Sequence, residues 1–207
     1  MHPNPAFRGA SQEQNLAFAR QIGFGTLVIT AARGPELAHV PFVLANDGSL
    51  ADIHLARSNP IARADLPTKA VLSVQGPHHY ISPDWYGPHT DQVPTWNYVA
   101  VHLRGTLEPL PPEGLEPQIT ALSAEHENRL IPGKRPWTTD KMSPGSMERM
   151  MRMILPFRLR IETVDGTWKL NQNKTIEIRA RAAAALGAQG GVPDAVALSR
   201  LMCPKAD

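Results

Sequence analysis

The run from Trp96 to Leu107, WNYVAVHLRGTL, constrains this chain more than any other stretch. It alternates with a period of two. Asn97, Val99, Val101 and Leu103 fall on one side of an extended chain, and Trp96, Tyr98, Ala100 and His102 on the other. The first side is mostly aliphatic and belongs in a core. The second carries rings, an indole N–H, a phenol and an imidazole, all of which need polar partners. It suits a subunit interface, a helix-covered face or a ligand face, and the alternation alone leaves these open. A second β-forming run, Ala70 to Val74, precedes it. Between the two lie Gln75, His78, His79, Tyr80, Ser82, Trp85 and Tyr86. All three tyrosines and two of the four tryptophans sit between positions 80 and 98. Aromatic rings beside hydrogen-bonding groups, held between two strands, suit a flat polar ligand.

The rest of the chain reads as further strands with helices around them. Ser11 with Gln14 three residues on is a capping box opening a short helix, and Gly23 ends it. Phe24 to Thr30 reads as strand one and Leu37 to Leu44 as strand two. Pro41 suggests an edge or a bulge there. Asn46-Asp47-Gly48 is a hairpin turn, and Leu50 to Leu55 is strand three. Asn59-Pro60 then opens a helix running to about Leu66, with Arg57 and Ser58 just before it. Free N–H groups at a helix start beside a guanidinium make a credible anion site; a plain cap beside a solvated arginine is the alternative. The 70–107 stretch supplies strands four, five and six, with the first two separated at Gly76-Pro77. Helices follow over about 113–130 and from Ser143 to Ile154, then strand seven over Phe157 to Thr163. The last two helices are Thr175 to Leu186 and Pro193 to Met202.

Consecutive strands predict an antiparallel sheet closed into a small barrel, mainly β with α, an α+β fold with peripheral helices. At 207 residues the chain is read as one domain. The barrel covers about 11–110 plus 155–172, a helical insertion about 113–154, and C-terminal helices about 175–202. The formal net charge of +2, without a basic run, lacks the electrostatic footprint of a nucleic-acid binder. A single cysteine excludes an internal disulfide and a multi-thiolate metal centre. The eight histidines show no metal-ligand spacing, so no metal site is expected. No apolar run is long enough to span a membrane and no signal-peptide pattern opens the chain, so a cytoplasmic protein is expected. No GxSxG, P-loop or GxGxxG motif occurs.

Five segments taken together, FGTLVIT, HLARSNP, VQGPHHYISPDWY, VPTWNYVAVHLRG and WKLNQNK, resemble the PaiB-type FMN-binding split-barrel family, the negative transcriptional regulators. The resemblance spans about residues 11–186. It implies a split barrel, a homodimer, and FMN in a cleft at the subunit boundary. Carried over by position, Arg57, Ser58 and Asn59 would contact the phosphate. Thr26, His54 and Gln75 would lie near the ribityl chain or ring, with His79, Trp96 and Asn97 on the opposite wall. Lys169, Gln172 and Asn173 match the family's KLSQNR-like tail. The chain departs from that tail at Asn171, where serine is usual, and at Lys174, where arginine is usual. Lysine does not reproduce a bidentate arginine contact, so weak FMN binding is an expectation. The resemblance implies a regulator acting through flavin or protein partners. A small FMN-dependent oxidoreductase is the alternative, and no residue stands out as its proton donor. Direct DNA contact stays open, since no DNA-binding motif is visible.

Overall fold

The computed structural model describes residues 1–88, 91–130, 133–189 and 192–203. Six strands carry the fold: β1 (Phe24–Ala31), β2 (Gly34–Leu44), β3 (Leu50–Ala56), β4 (Thr68–Ile81), β5 (Thr95–Pro109) and β6 (Ile154–Lys169). They close a barrel in the order β1-β2-β3-β6-β5-β4. The paired registers of β1 with β2 and β4, and of β3 with β2 and β6, are antiparallel. The helices are α1 (Gln12–Ile22), α2 (Leu115–Glu127), α3 (Ser146–Met151), α4 (Ile176–Gly187) and α5 (Pro193–Met202). The fold is the α+β antiparallel barrel expected from the sequence.

Several element boundaries differ from the sequence reading, each for a local reason. The stretch 70–107 makes two strands, not three, because β4 runs on through Gly76-Pro77. Pro77 lies beyond Ser73, the last residue paired with β1, so its missing N–H interrupts nothing in that ladder. Pro41 lies neither on an edge nor in a bulge. It is the last β2 residue paired with β1, and pairing with β3 begins at Phe42. The helix expected from Pro60 to Leu66 is only a 3₁₀ turn, Ile61–Arg63, with Ala64 already extended. Pro67 disfavours helical backbone at the residue before it, which stops any longer helix. Gly145, at φ +73°, delays α3 to Ser146, and β6 takes over from Ile154.

The chain forms two compact units. The barrel unit comprises Leu16–Val74 and His102–Val164; the terminal unit comprises Met1–Asn15, Gln75–Val101 and Asp165–Asp207. In the barrel unit, alternate residues turn inward: Leu27 and Ile29 of β1, Val40 and Phe42 of β2, Ile53 and Leu55 of β3, Leu72 of β4, Leu103 and Leu107 of β5, and Phe157 and Leu159 of β6. Full burial of such a side chain stabilises the fold by about 1.5–3 kcal/mol. The β5–β6 approach depends on Gly105, where a Cβ would stand 1.7 Å from the Arg160 carbonyl oxygen. Across β3 and β6, Arg158 donates to both carboxylate oxygens of Asp52, at 2.6 and 2.9 Å. This fork fixes the register that pairs those two residues.

The terminal unit is built from the N-terminal arm, the far ends of β4, β5 and β6, and α4 with α5. Trp168 donates its indole N–H to Asn15 Oδ1 at 2.8 Å. Ser199 of α5 donates to the Ala183 carbonyl of α4 at 2.7 Å. Ala182, Ala183 and Leu186 of α4 and Ala195, Leu198 and Met202 of α5 are all buried. The last helix is therefore part of this unit's core.

Candidate functional site

In the barrel unit the site candidates lie on the outer face of β1–β3 and on the turn after β3. Thr26 points outward from β1, opposite His39 of β2, and the hydroxyl and His39 Nδ1 are 3.0 Å apart. Phe24 and Val28 flank Thr26 on that face, and Leu37 and Pro41 flank His39. Phe24 and Leu37 are 52% and 59% exposed. A polar pair is thus framed by uncovered apolar side chains. His39 was not among the sequence candidates. The signal for it is the hairpin register, which sets it against Thr26. His54 points outward from β3 and is half-buried, and burial pushes its imidazole below the usual histidine range.

The Arg57–Asn59 segment is a tight turn. Arg57 N–H donates to the Met153 carbonyl at 3.0 Å, and its Nε donates to the Arg152 carbonyl at 2.6 Å. Asn59 Oδ1 accepts from Ile61 N–H at 2.9 Å, so this side chain acts as a cap. Arg63 Nε donates to the Arg57 carbonyl at 3.1 Å. These bonds leave the Arg57 Nη groups and the N–H and hydroxyl of Ser58 without partners among the described residues. Free donors on two adjacent exposed residues form a donor set that fits a phosphate. The helix dipole expected there is reduced to that of a single 3₁₀ turn. Arg57 also borders a cleft of about 300 Å³ lined by Glu113, Glu116 and Glu148. Those carboxylates would repel a phosphate on that side.

In the terminal unit the alternation read from the sequence holds. Asn97 faces inward at 0% exposure and Trp96 faces outward at 55%. Trp96 stacks edge-on to Tyr80, with ring centroids 6.3 Å apart, and lies 6.2 Å from the His78 ring. His78 in turn sits 3.2 Å from Gln75 Nε2 and 3.4 Å from Asp194 of α5. Gln75, His78, Trp96 and Tyr80 therefore form one exposed aromatic and polar surface. His79 turns to the Tyr80 carbonyl, 2.7 Å from its Nδ1. Asn97 is not part of that surface. Its Nδ2 donates to Met202 Sδ at 3.4 Å, and its Oδ1 is buried without a partner.

The polar tail is tied down. Lys169 Nζ donates to Thr95 Oγ1 at 2.5 Å, and burial pulls its pKa down. Gln172 accepts from Leu170 N–H at 2.7 Å and donates to the Trp168 carbonyl, closing the turn at the end of β6. Asn173 is exposed. Lys174 donates to Gln92 at 2.5 Å and lies 5.2 Å from the Tyr86 ring centroid. Asn171 adopts φ +63°, the left-handed region that asparagine tolerates better than serine does, and this accounts for the residue found there. Among the described residues no group of three or more His, Cys, Asp or Glu side chains is placed to hold a metal ion. No described helix is long and apolar enough to cross a membrane.

A closed antiparallel six-stranded barrel with outer helices, carrying a phosphate-compatible turn after β3, has the architecture of a split-barrel protein. The sequence profile of the family described as "Putative FMN-binding domain" matches residues 1–163, and the chain belongs to that family. FMN, the cofactor read from the sequence, is the one this family's description carries. The chain is 33% identical over 171 residues to the protease synthase and sporulation protein PAI 2 of Bacillus subtilis, covering 81% of this chain and 80% of the relative. Its fold is shared by a FAD- and heme-binding protein from Mycobacterium smegmatis, with TM-score 0.56, 16% identity, and 79% and 73% of the two chains covered. The flavocytochrome Anf3 from Azotobacter vinelandii is similar too, with TM-score 0.57, 13% identity, and 81% and 72% covered.

Proposed function

We propose that this protein is a flavin-dependent regulator: a homodimer that takes up FMN and lowers transcription by acting on protein partners. The similarity to PAI 2 along four-fifths of both chains carries this reading. That relative has protease synthesis and sporulation together in its name, and one protein affecting both is more simply a regulator than an enzyme of either. The nearly balanced charge favours protein partners over direct DNA contact. Arg57 and Ser58 supply the phosphate donors. Thr26, His39 and His54 supply polar groups for the ribityl chain or ring. The bound flavin would bring a redox-sensitive chromophore to the dimer.

Titration of the purified protein with FMN, followed by its visible absorbance, tests the binding step. A saturable shift of the flavin bands is expected, and unchanged bands with protein in large excess would overturn it. Two further measurements separate regulator from oxidoreductase. NAD(P)H is expected to reduce the flavin without catalytic turnover, and sustained turnover would favour an enzyme. A DNA-binding salt series is expected to show only weak, steeply salt-dependent association. Tight sequence-specific binding would overturn the partner-mediated mode.

A further inference from the structure

The terminal unit contains a cleft of about 620 Å³, walled by the N-terminal arm, the end of β6, α4 and the C-terminal end of α5. That volume lies within the range of about 300–1,000 Å³ typical of small-molecule sites. Trp168, Leu170 and Leu201 give it apolar walls. Among the described residues its charged groups are Arg179 of α4 and Arg200 of α5, with no carboxylate.

Arg179 is the telling residue. Among the described residues its Nε is buried without a hydrogen-bond partner, and Nη2 reaches the Leu201 carbonyl at 3.4 Å. A buried donor left unsatisfied costs about 1–3 kcal/mol, and more for a charged group. Burial draws the guanidinium pKa down, and the nearby Cys203 sulfur opposes that effect. Arg200 is exposed and makes no ion pair or hydrogen bond among the described residues. Two guanidinium groups with no counter-charge among the described residues, one of them with an orphaned N–H, stand beside an indole and aliphatic side chains. The chemistry that satisfies both walls is an anionic head on an apolar body. A carboxylate matches the planar N–H pair of an arginine with two oxygens. We propose that this cleft, which contains none of Thr26, His39, His54, Arg57 and Ser58, is a second ligand site, for a small organic carboxylate. The head sits on Arg179 and Arg200 and the body lies against Trp168 and Leu201.

Cys203 gives a direct readout. It is the only cysteine of the chain, it is exposed, and it lies at the edge of the cleft. Alkylation of Cys203 by iodoacetamide, a neutral reagent, is followed in the full-length protein with octanoate or inorganic phosphate added. Saturating octanoate is expected to slow alkylation at least about tenfold, and phosphate at equal concentration to slow it less than about twofold. Arg200→Gln, at an exposed position, and Arg179→Gln should each raise the half-protecting octanoate concentration at least about tenfold, or about 1.4 kcal/mol. If Arg179→Gln does not fold, Arg200→Gln decides alone. Absence of protection, equal protection by phosphate, or undiminished protection in Arg200→Gln would each overturn the proposal. Protection by FMN over the concentrations that shift its own absorbance would make the cleft part of the flavin site and overturn its separateness.

Discussion

At the scale of single residues, Arg57 carries the sharpest expectation. Its Nε is held by the Arg152 carbonyl, which orients the guanidinium and leaves the Nη groups for a ligand. Hydrogen bonds from such a group to a phosphate are worth about 1.5–3 kcal/mol. Arg57→Ala is therefore expected to weaken FMN binding by roughly 10- to 150-fold. Riboflavin, which lacks the phosphate, should bind the wild type more weakly and lose little on the substitution. Equal losses for the two flavins in fluorescence titrations would mean that Arg57 is not the phosphate anchor. His54 gives a second expectation, in pH. Burial holds its folded pKa below the usual histidine value of 6.5, so the unfolded chain binds more protons as the solution is acidified. The native state is then favoured above that value, and stability falls as pH drops through it towards the lower folded pKa. His54→Gln should flatten the urea midpoint between about pH 7 and pH 5. A wild-type midpoint that is already flat there would show that burial of His54 does not govern acid stability. Asn171 marks what was not legible at this scale. The family resemblance sets a serine against it, but the left-handed backbone that favours asparagine there appears only once the turn after β6 is built.

At the scale of elements, the alternation in β5 was legible because one face of a barrel strand is dry and the other wet. Asn97, Val99, Val101 and Leu103 are buried, as period two requires. The boundaries at Gly76-Pro77 and Pro60 were not, because a proline's cost depends on which neighbour its missing N–H would have faced, and that is a property of the closed sheet. The Gly190-Gly191 pair, which separates α5 from α4 in sequence, lies outside the described residues. On its far side α5 buries Ala195, Leu198 and Met202 and touches Asn97. Long-range packing of this kind leaves no local signal. The close β5–β6 contact supports a further expectation. Gly105→Ala forces a Cβ into the Arg160 carbonyl, which is backbone and cannot rotate away. Overpacking of a well-filled site costs about 1–3 kcal/mol, and a clash with backbone should reach at least the top of that range. Denaturant unfolding reads the loss directly. A change below about 0.5 kcal/mol, the level of an ordinary surface substitution, would mean that the strands separate easily at that point.

At the scale of the whole molecule, the unanswered demand is the outer face of β1 and β2. Phe24 and Leu37 are more than half exposed there, on either side of the hydrogen-bonded Thr26 and His39. Exposed apolar side chains around a polar centre have the composition of an interface that also contacts a ligand. A two-fold dimer would cover this patch with its own copy, since such an interface is self-complementary. It would bury roughly 1,200–2,000 Å² in total if of ordinary size. Light scattering at micromolar concentration should then give about twice the chain mass of 22.7 kDa. Leu37→Glu places a charge in the middle of the patch without touching the barrel interior, so the chain should fold and run at the monomer mass. If the flavin is shared across the boundary, the same variant should lose FMN affinity at least about tenfold, or about 1.4 kcal/mol. Arg57→Ala should lose FMN affinity while remaining a dimer. The two variants therefore divide the phosphate contact from the assembly. A wild-type monomer would remove the dimer, and a Leu37→Glu monomer with full FMN affinity would place the whole flavin site within one chain.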